Sequence, residues 1–139
     1  MHVLVPVDGS APSDDALQYA LEQFSNDEIV ALYVMDPVDG ATVWGPGSAD
    51  NWLSAAEERA DTVLENAREA AADTGADIST DSTVGRPANA IVEYATEHDL
   101  DHIVIGSHGR GGISRVLLGS VAETVVRRAP IPVTVFRSE

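Results

Sequence analysis

The chain contains neither cysteine nor lysine. The missing cysteines exclude disulfides, thiolate nucleophiles and thiolate metal ligands. The missing lysines exclude the phosphate-binding loop GxxxxGK[ST], whose lysine reaches the phosphates of a bound nucleotide. No run of about 18 apolar residues is present, and no basic leader precedes the apolar segment that begins at Val3. We therefore expect a cytoplasmic protein that does not span a membrane.

Positive charge is also scarce. Eight basic residues, all arginine, stand against 23 acidic ones, and the formal net charge is −15. Such a surface repels nucleic-acid phosphates and anionic lipids, so we expect neither nucleic acid nor membrane as a partner. Salt screens the self-repulsion, and the composition is therefore typical of a halophilic protein; an ordinary acidic protein is the alternative. Residues 102–138 differ from the rest, with five arginines and a single acid, a net charge of +4.

Apolar runs alternate with helical patterns along the chain. Strands are predicted at 3–7, 29–34, 78–84, 103–105 and 132–136, of which 78–84 is polar at alternate positions and suits a sheet edge. Helices are predicted from Pro12, over about 52–74, from Arg86-Pro87, and from near Ser120 to Ala129. This alternation predicts an α/β fold with one five-stranded, mainly parallel sheet, in a single domain over residues 1–139.

A glycine-rich segment runs from Gly106 to Ser120 and contains five glycines, two arginines and no acid. The dinucleotide fingerprint GxGxxG fails here, because serine stands at position 114, and it fails after the first strand too. A glycine-rich turn between a buried strand and a helix can bind phosphate through the free N–H groups of the helix. The alternative is structural, since Ser120 and Glu123 have the spacing of a capping box, which needs no ligand.

Segments 3–10, 84–95, 101–112 and 117–137 resemble the universal stress protein family, so the resemblance covers nearly the whole chain. Its most specific element is the pattern G-x2-G-x9-G-[ST], which Gly106, Gly109, Gly119 and Ser120 match. The resemblance implies a doubly wound sheet of order 3-2-1-4-5 with helices on both faces. It also implies ATP binding at the crevice where the winding reverses, outside the carboxyl ends of strands 1 and 4.

The resemblance also implies individual contacts with ATP, and we expect Mg²⁺ with it because a triphosphate in a cell normally carries that ion. The positions implied near adenine and ribose are Pro6, Val7, Asp8, Val34, Ile105 and Gly106. Those implied near the phosphates are His108, Gly109, Arg110, Gly119, Ser120 and Val121. Plainer alternatives stay open: Asp8 can cap the turn before the first helix, and Pro6 and Val34 can be strand-end packing. Ala122 departs from some ATP-binding members, which carry a hydroxyl there, and this departure predicts weaker binding.

These expectations favour an ATP-binding regulatory module of the stress response that acts through nucleotide-dependent conformation and partner binding. A ligand-free dimeric interaction protein is one alternative. A very slow ATPase is the other alternative. Hydrolysis would be slow because the chain has no lysine clamp and no paired acidic metal motif of the kinase type. The strand at 133–136, as a sheet edge, favours a homodimer through pairing with a second copy. The histidines show no ligand spacing, so we expect no metal site built by the protein itself.

Overall fold

The computed structural model describes residues 1–37, 49–107 and 118–137. The strands are β1 (His2–Pro6), β2 (Glu28–Met35), β3 (Asp77–Val84), β4 (His102–Gly106) and β5 (Val133–Phe136). The helices are α1 (Ala11–Gln23), α2 (Ala49–Thr74), α3 (Pro87–Glu97) and α4 (Ser120–Arg128). Strands and helices alternate, as the sequence pattern predicts.

The strands form one five-stranded sheet of order β3-β2-β1-β4-β5, and every neighbouring pair is parallel. This confirms the predicted order 3-2-1-4-5. The central strands β1 and β4 are apolar runs, because both of their faces are covered. The polar strand β3 lies at one edge, as predicted, and the short strand β5 lies at the other. The direction of winding reverses between β1 and β4.

Helices cover both faces of the sheet, and each face has its own core. Val3 and Val5 pack with α1 and α2 on one face. Leu4 lies between them in sequence and packs with α3 and α4 on the other face, together with Ile103. This division follows from the strand geometry, in which successive side chains point to opposite faces.

The helix α2 is amphipathic and begins three residues before the predicted start at 52. Its buried positions follow helical spacing and are Ala56, Ala60, Leu64, Ala67 and Ala71. It ends at Thr74, and Gly75 then adopts φ +74°, the left-handed conformation that a glycine after a helix supplies. Among the described helices, none is long and apolar enough to cross a membrane.

Candidate functional site

The winding reverses between β1 and β4, and a crevice is expected there, at the carboxyl edge of the sheet. The ladder between these strands consists of the pairs Val3–His102 and Leu4–Ile103. Beyond these pairs, β1 continues to Pro6 and β4 to Gly106 without pairing with each other, while each stays paired with its outer neighbour. From there the chain goes to α1 on one face and, beyond β4, reaches α4 on the other. Ligands of open parallel sheets bind at such a point of divergence.

The turn after β1 is held by the side chains of three residues. The Asp8 carboxylate accepts the Ser10 amide at Oδ1, over 2.9 Å. The Ser10 hydroxyl caps α1 by accepting the Ser13 amide, over 3.3 Å. The Ser13 hydroxyl accepts the Asp8 amide and donates to the Ser10 carbonyl, both over 3.2 Å. Asp8 therefore does shape the turn, but Ser10, and not Asp8, caps the helix.

Gly106 lies against the first turn of α1. A Cβ at Gly106 would lie 2.8 Å from the carbonyl oxygen of Pro12 and 2.9 Å from its carbonyl carbon. Since both are backbone atoms, no side chain can be added without moving the start of α1. The glycine therefore has a packing reason, separate from the close approach of a ligand that the resemblance implies.

Ser107 joins the end of β4 to the start of α4. Its amide donates to the Phe136 carbonyl at the end of β5, over 3.0 Å. Its carbonyl accepts the Gly119 amide, over 2.5 Å. The Ser107 residue is only 2% exposed. These two backbone bonds bring the N-terminus of α4 to the crevice.

The capping box predicted at Ser120 is wrong. Gly119 is the N-cap residue, with φ −69° and ψ 163°, and it has no side-chain cap bond. Ser120 is instead the first helical residue, and Glu123 pairs with Arg127 one turn later. The spacing fits a capping box, but the helix starts at Ser120, one residue earlier than that motif requires.

The first turn of α4 faces solvent with polar backbone groups. The amides of Ser120 and Val121 have no acceptor within the helix, as at every helix start, and the helix dipole adds partial positive charge there. Ser120 is exposed and Val121 is half-buried. Ala122 packs in the core on the α3 and α4 face, so a hydroxyl at that position would point towards apolar neighbours.

The apolar positions named by the resemblance divide into two kinds. Pro6 and Val34 are half-buried at the ends of β1 and β2. Val7 is 4% exposed and belongs to the core on the α1 and α2 face. Ile105 is 6% exposed and belongs to the core on the other face. Pro6 and Val34 therefore offer surface at this edge, while Val7 and Ile105 mainly pack.

Negative charge gathers where α1 begins. The pKa of Asp14 is raised, first by burial and then by the nearby carboxylates of Asp8 and Asp15. Within the described ranges, no group of three or more histidine and acidic residues is arranged to hold a metal ion.

A separate hollow of about 350 Å³ lies between the end of β3 and α3. Arg86, Glu93 and Glu97 are among its lining residues, so it has no single sign of charge. Asn89, also in the lining, accepts a hydrogen bond from Arg128 over 2.8 Å. This mixture of charges does not select an anion.

Three of the predicted contacts, His108, Gly109 and Arg110, lie outside the described residues. Two buried hydroxyls near the turn after β1 and the end of β4, those of Ser13 and Ser107, were not among the predicted contacts with ATP. A signal for Ser13 was available, because it occupies the buried face of α1 in register with apolar residues. A polar residue in such a row needs hydrogen-bond partners, and these partners turned out to be Asp8 and Ser10.

Comparison with known proteins finds a family and relatives that match nearly the whole chain. The family model described as the universal stress protein family matches residues 1–137. Universal stress protein MJ0531 of Methanocaldococcus jannaschii is 35% identical over 138 residues, covering 97% of this chain and 81% of that protein. The solved structure of MJ0577 from the same organism has a TM-score of 0.86 at 28% identity, over 99% of this chain and 96% of that one. A universal stress protein solved in complex with cAMP has a TM-score of 0.69 at 30% identity, over 100% and 98% of the two chains.

Proposed function

The chain belongs to the universal stress protein family, and we propose that it is an ATP-binding regulatory module of the stress response. The observation that carries this proposal is the hydrogen bond from the Gly119 amide to the Ser107 carbonyl. It places the anion-attracting start of α4 at the crevice beside β1, where a ligand of a doubly wound sheet is expected.

The type of ligand is supported by a relative. The protein solved with cAMP, an adenine nucleotide, is 30% identical to this chain over its whole length. The backbone donors at Ser120 and Val121 suit a phosphate group, and the half-buried Pro6 and Val34 suit the face of a base. These residues fit a nucleotide that lies across the crevice.

Each side of the crevice has its own task in this proposal. Asp8 accepts hydrogen bonds from the nucleoside, and its turn keeps the carboxylate in place. The first turn of α4 binds the phosphates through Ser120 and Val121, aided by Arg110 and by the backbone at Gly109. Mg²⁺ accompanies ATP and screens the phosphate charge in an acidic protein.

Regulation, rather than turnover, is the proposed output. Efficient phosphoryl transfer uses lysine or arginine clamps and acidic metal ligands, and this chain has no lysine at all. Nucleotide binding would instead order the surface around the crevice and change what partners contact. The slow-ATPase alternative predicts steady ADP release from purified protein that stops in Asp8→Ala, and absence of release supports the regulatory module.

A homodimer through β5 is part of the proposal. β5 (Val133–Phe136) is a half-buried edge strand, and within the described residues its outer side has no paired strand. Val135→Glu should convert the dimer to a monomer in light scattering. Val84→Glu on the opposite edge, where the native side chain is 50% exposed, should leave the dimer intact. A dimer that persists in Val135→Glu, with unfolding still cooperative, would refute this geometry.

Nucleotide binding is tested on protein purified in molar KCl, since we also propose a salt-rich cytoplasm as its setting. The protein is denatured, the released nucleotide is identified by chromatography, and the stripped protein is titrated with Mg·ATP by calorimetry. Wild type should bind one ATP per chain, and Asp8→Ala should bind at least about tenfold more weakly, as expected for loss of a charged hydrogen bond. Asp77→Ala, at the other end of the sheet, is the matched control and should bind normally. No release and no binding by wild type would favour the ligand-free dimer.

A further inference from the structure

Ser13 is the buried hydroxyl of α1. It is 6% exposed and lies on the helix face that also carries Ala16, Leu17 and Ala20, all of them core residues. A hydroxyl in that row gains little from apolar burial, so its value lies in its hydrogen bonds.

In the turn after β1, this hydroxyl both donates and accepts a hydrogen bond. It donates to the Ser10 carbonyl and accepts the Asp8 amide, each over 3.2 Å. Asp8 in turn accepts the Ser10 amide at Oδ1 over 2.9 Å. The main chain at residue 8 and the carboxylate at residue 8 are thus fixed by the same small ring of bonds, and Ser13 is its only member from inside the helix.

Two neighbours show why such a ring is needed. The carboxylates of Asp8 and Asp14 repel each other, and this repulsion, after burial, contributes to the raised pKa of Asp14. On the other side, the backbone of Pro12 lies so close to Gly106 that α1 cannot shift towards β4. The Asp8 carboxylate is therefore held in place against a like charge, and the helix that bears Ser13 is itself fixed.

We propose that Ser13 is a positioning residue for the nucleotide site, which directs the Asp8 carboxylate towards the nucleoside by bonding the Asp8 amide. This inference rests on the proposed function. Ser13→Ala would leave the Asp8 amide without its acceptor, and the turn would relax to find another one. The carboxylate would then lose its direction, although the carboxylate itself is still present.

The test compares Mg·ATP affinity, by calorimetry, in wild type, Ser13→Ala and Ser10→Ala. Ser10→Ala is the matched control, because it removes the cap of α1 and keeps the bond between the Ser13 hydroxyl and the Asp8 amide. Thermal unfolding is recorded for each protein without nucleotide. We expect both variants to unfold at lower temperature, and only Ser13→Ala to bind ATP about tenfold more weakly, the effect of one misplaced charged hydrogen bond.

A double-mutant cycle with Asp8→Ala shows whether Ser13 affects ATP affinity through the Asp8 carboxylate. If Ser13 acts through Asp8, Ser13→Ala costs no further affinity once the carboxylate is gone. Amide exchange of nucleotide-free protein adds a second readout, since the Ser10 amide should exchange faster in Ser13→Ala than in wild type.

The outcomes separate the two claims. Wild type that binds no ATP removes the proposed function and this inference with it. Wild type that binds ATP, together with an unchanged affinity in Ser13→Ala, overturns the positioning role alone. An equal loss in the presence and absence of the Asp8 carboxylate would also overturn it, because Ser13 would then act by another route.

Discussion

The acidic side chains at the two ends of the sheet have different neighbours. At the amino edge, carboxylates are paired with hydrogen-bond donors: the Met1 ammonium lies 3.2 Å from an Asp27 carboxylate oxygen, and the His2 ring lies against the Glu28 carboxylate. The His2 amide donates to the Asp101 carboxylate over 2.9 Å, and this bond is the main cause of the lowered pKa of Asp101. These contacts tie the strand ends and the loops of the amino edge together.

At the carboxyl edge, like charges are gathered instead. Asp14 lies near Asp8 and Asp15, and its pKa is raised rather than lowered. The last residues of β1 and β4 form no ladder pairs with each other there, and a glycine is required by close backbone contact. Local rules of stability are broken mainly at functional sites, so this difference supports the proposal that the carboxyl edge binds a ligand.

The largest predicted effect concerns the backbone contact at the carboxyl edge. Gly106→Ala should lower the free energy of unfolding by about 2–3 kcal/mol, as overpacking against a rigid neighbour does. The reason is that the new Cβ would lie 2.8 Å from the Pro12 carbonyl oxygen. Urea unfolding followed by circular dichroism measures it.

Gly85→Ala is the control for that substitution. There the added Cβ meets only the Ala90 side chain, at 3.4 Å. The loss should be well under that of Gly106→Ala. Equal stability of the two variants would show that α1 is not pressed against β4 as described.

A smaller effect is expected from the bond that joins β4 to α4. Gly119→Pro removes the amide that donates to Ser107, and its φ of −69° already suits proline. It should be less stable than Gly119→Ala by more than about 1 kcal/mol, because the amide is lost and the proline ring would lie against the Ser107 carbonyl oxygen. Urea unfolding of both variants checks this, and no difference between them would mean that the bond adds nothing to stability.

At the amino edge, Asp101→Asn should destabilise the protein modestly at neutral pH. The folded-state pKa of Asp101 lies below its usual value of 3.8, so the carboxylate adds stability above that pH. The contribution is lost as the pH falls through the lowered pKa. Thermal unfolding of wild type and variant between pH 7 and strongly acidic pH should show two curves that converge in acid. A constant difference would contradict the assignment.

At the carboxyl edge, Asp14→Asn should change stability at neutral pH in the opposite direction, and by the smallest amount of these substitutions. The folded-state pKa of Asp14 lies above 3.8, so wild type gains stability as the pH falls through that raised value. The variant should therefore be more stable at neutral pH, by less than about 0.5 kcal/mol because the carboxyl is mostly exposed. Molar KCl should shrink the gain. A variant less stable than wild type at neutral pH would contradict the difference described between the two edges.

The sheet order was implied by the family resemblance, and the strands carry local signals that agree with it. Apolar runs mark β1 and β4 as central, and alternating polarity marks β3 (Asp77–Val84) as an edge. The end of α2 was also predicted correctly, from Gly75, whose φ is positive. In each case a local pattern and the tertiary position agree.

The site was less predictable, because it depends on contacts between distant segments. Nothing local to Gly106 shows that Pro12 will lie against it, and nothing near Ser107 names Gly119 as its partner. The capping box failed for a similar reason. Gly119 in extended conformation starts the helix, and Glu123 is engaged by Arg127 on the next turn.

Binding of ATP at the carboxyl edge is tested most directly by an amide chemical-shift titration. Uniformly ¹⁵N-labelled wild type is titrated with Mg·ATP, and the shifts of assigned amides are followed. We predict saturable changes at Asp8, Ser107, Ser120 and Val121, with the amides of β3 (Asp77–Val84) unmoved. Saturable changes confined to the hollow between β3 and α3, with those four amides unmoved, would contradict the account.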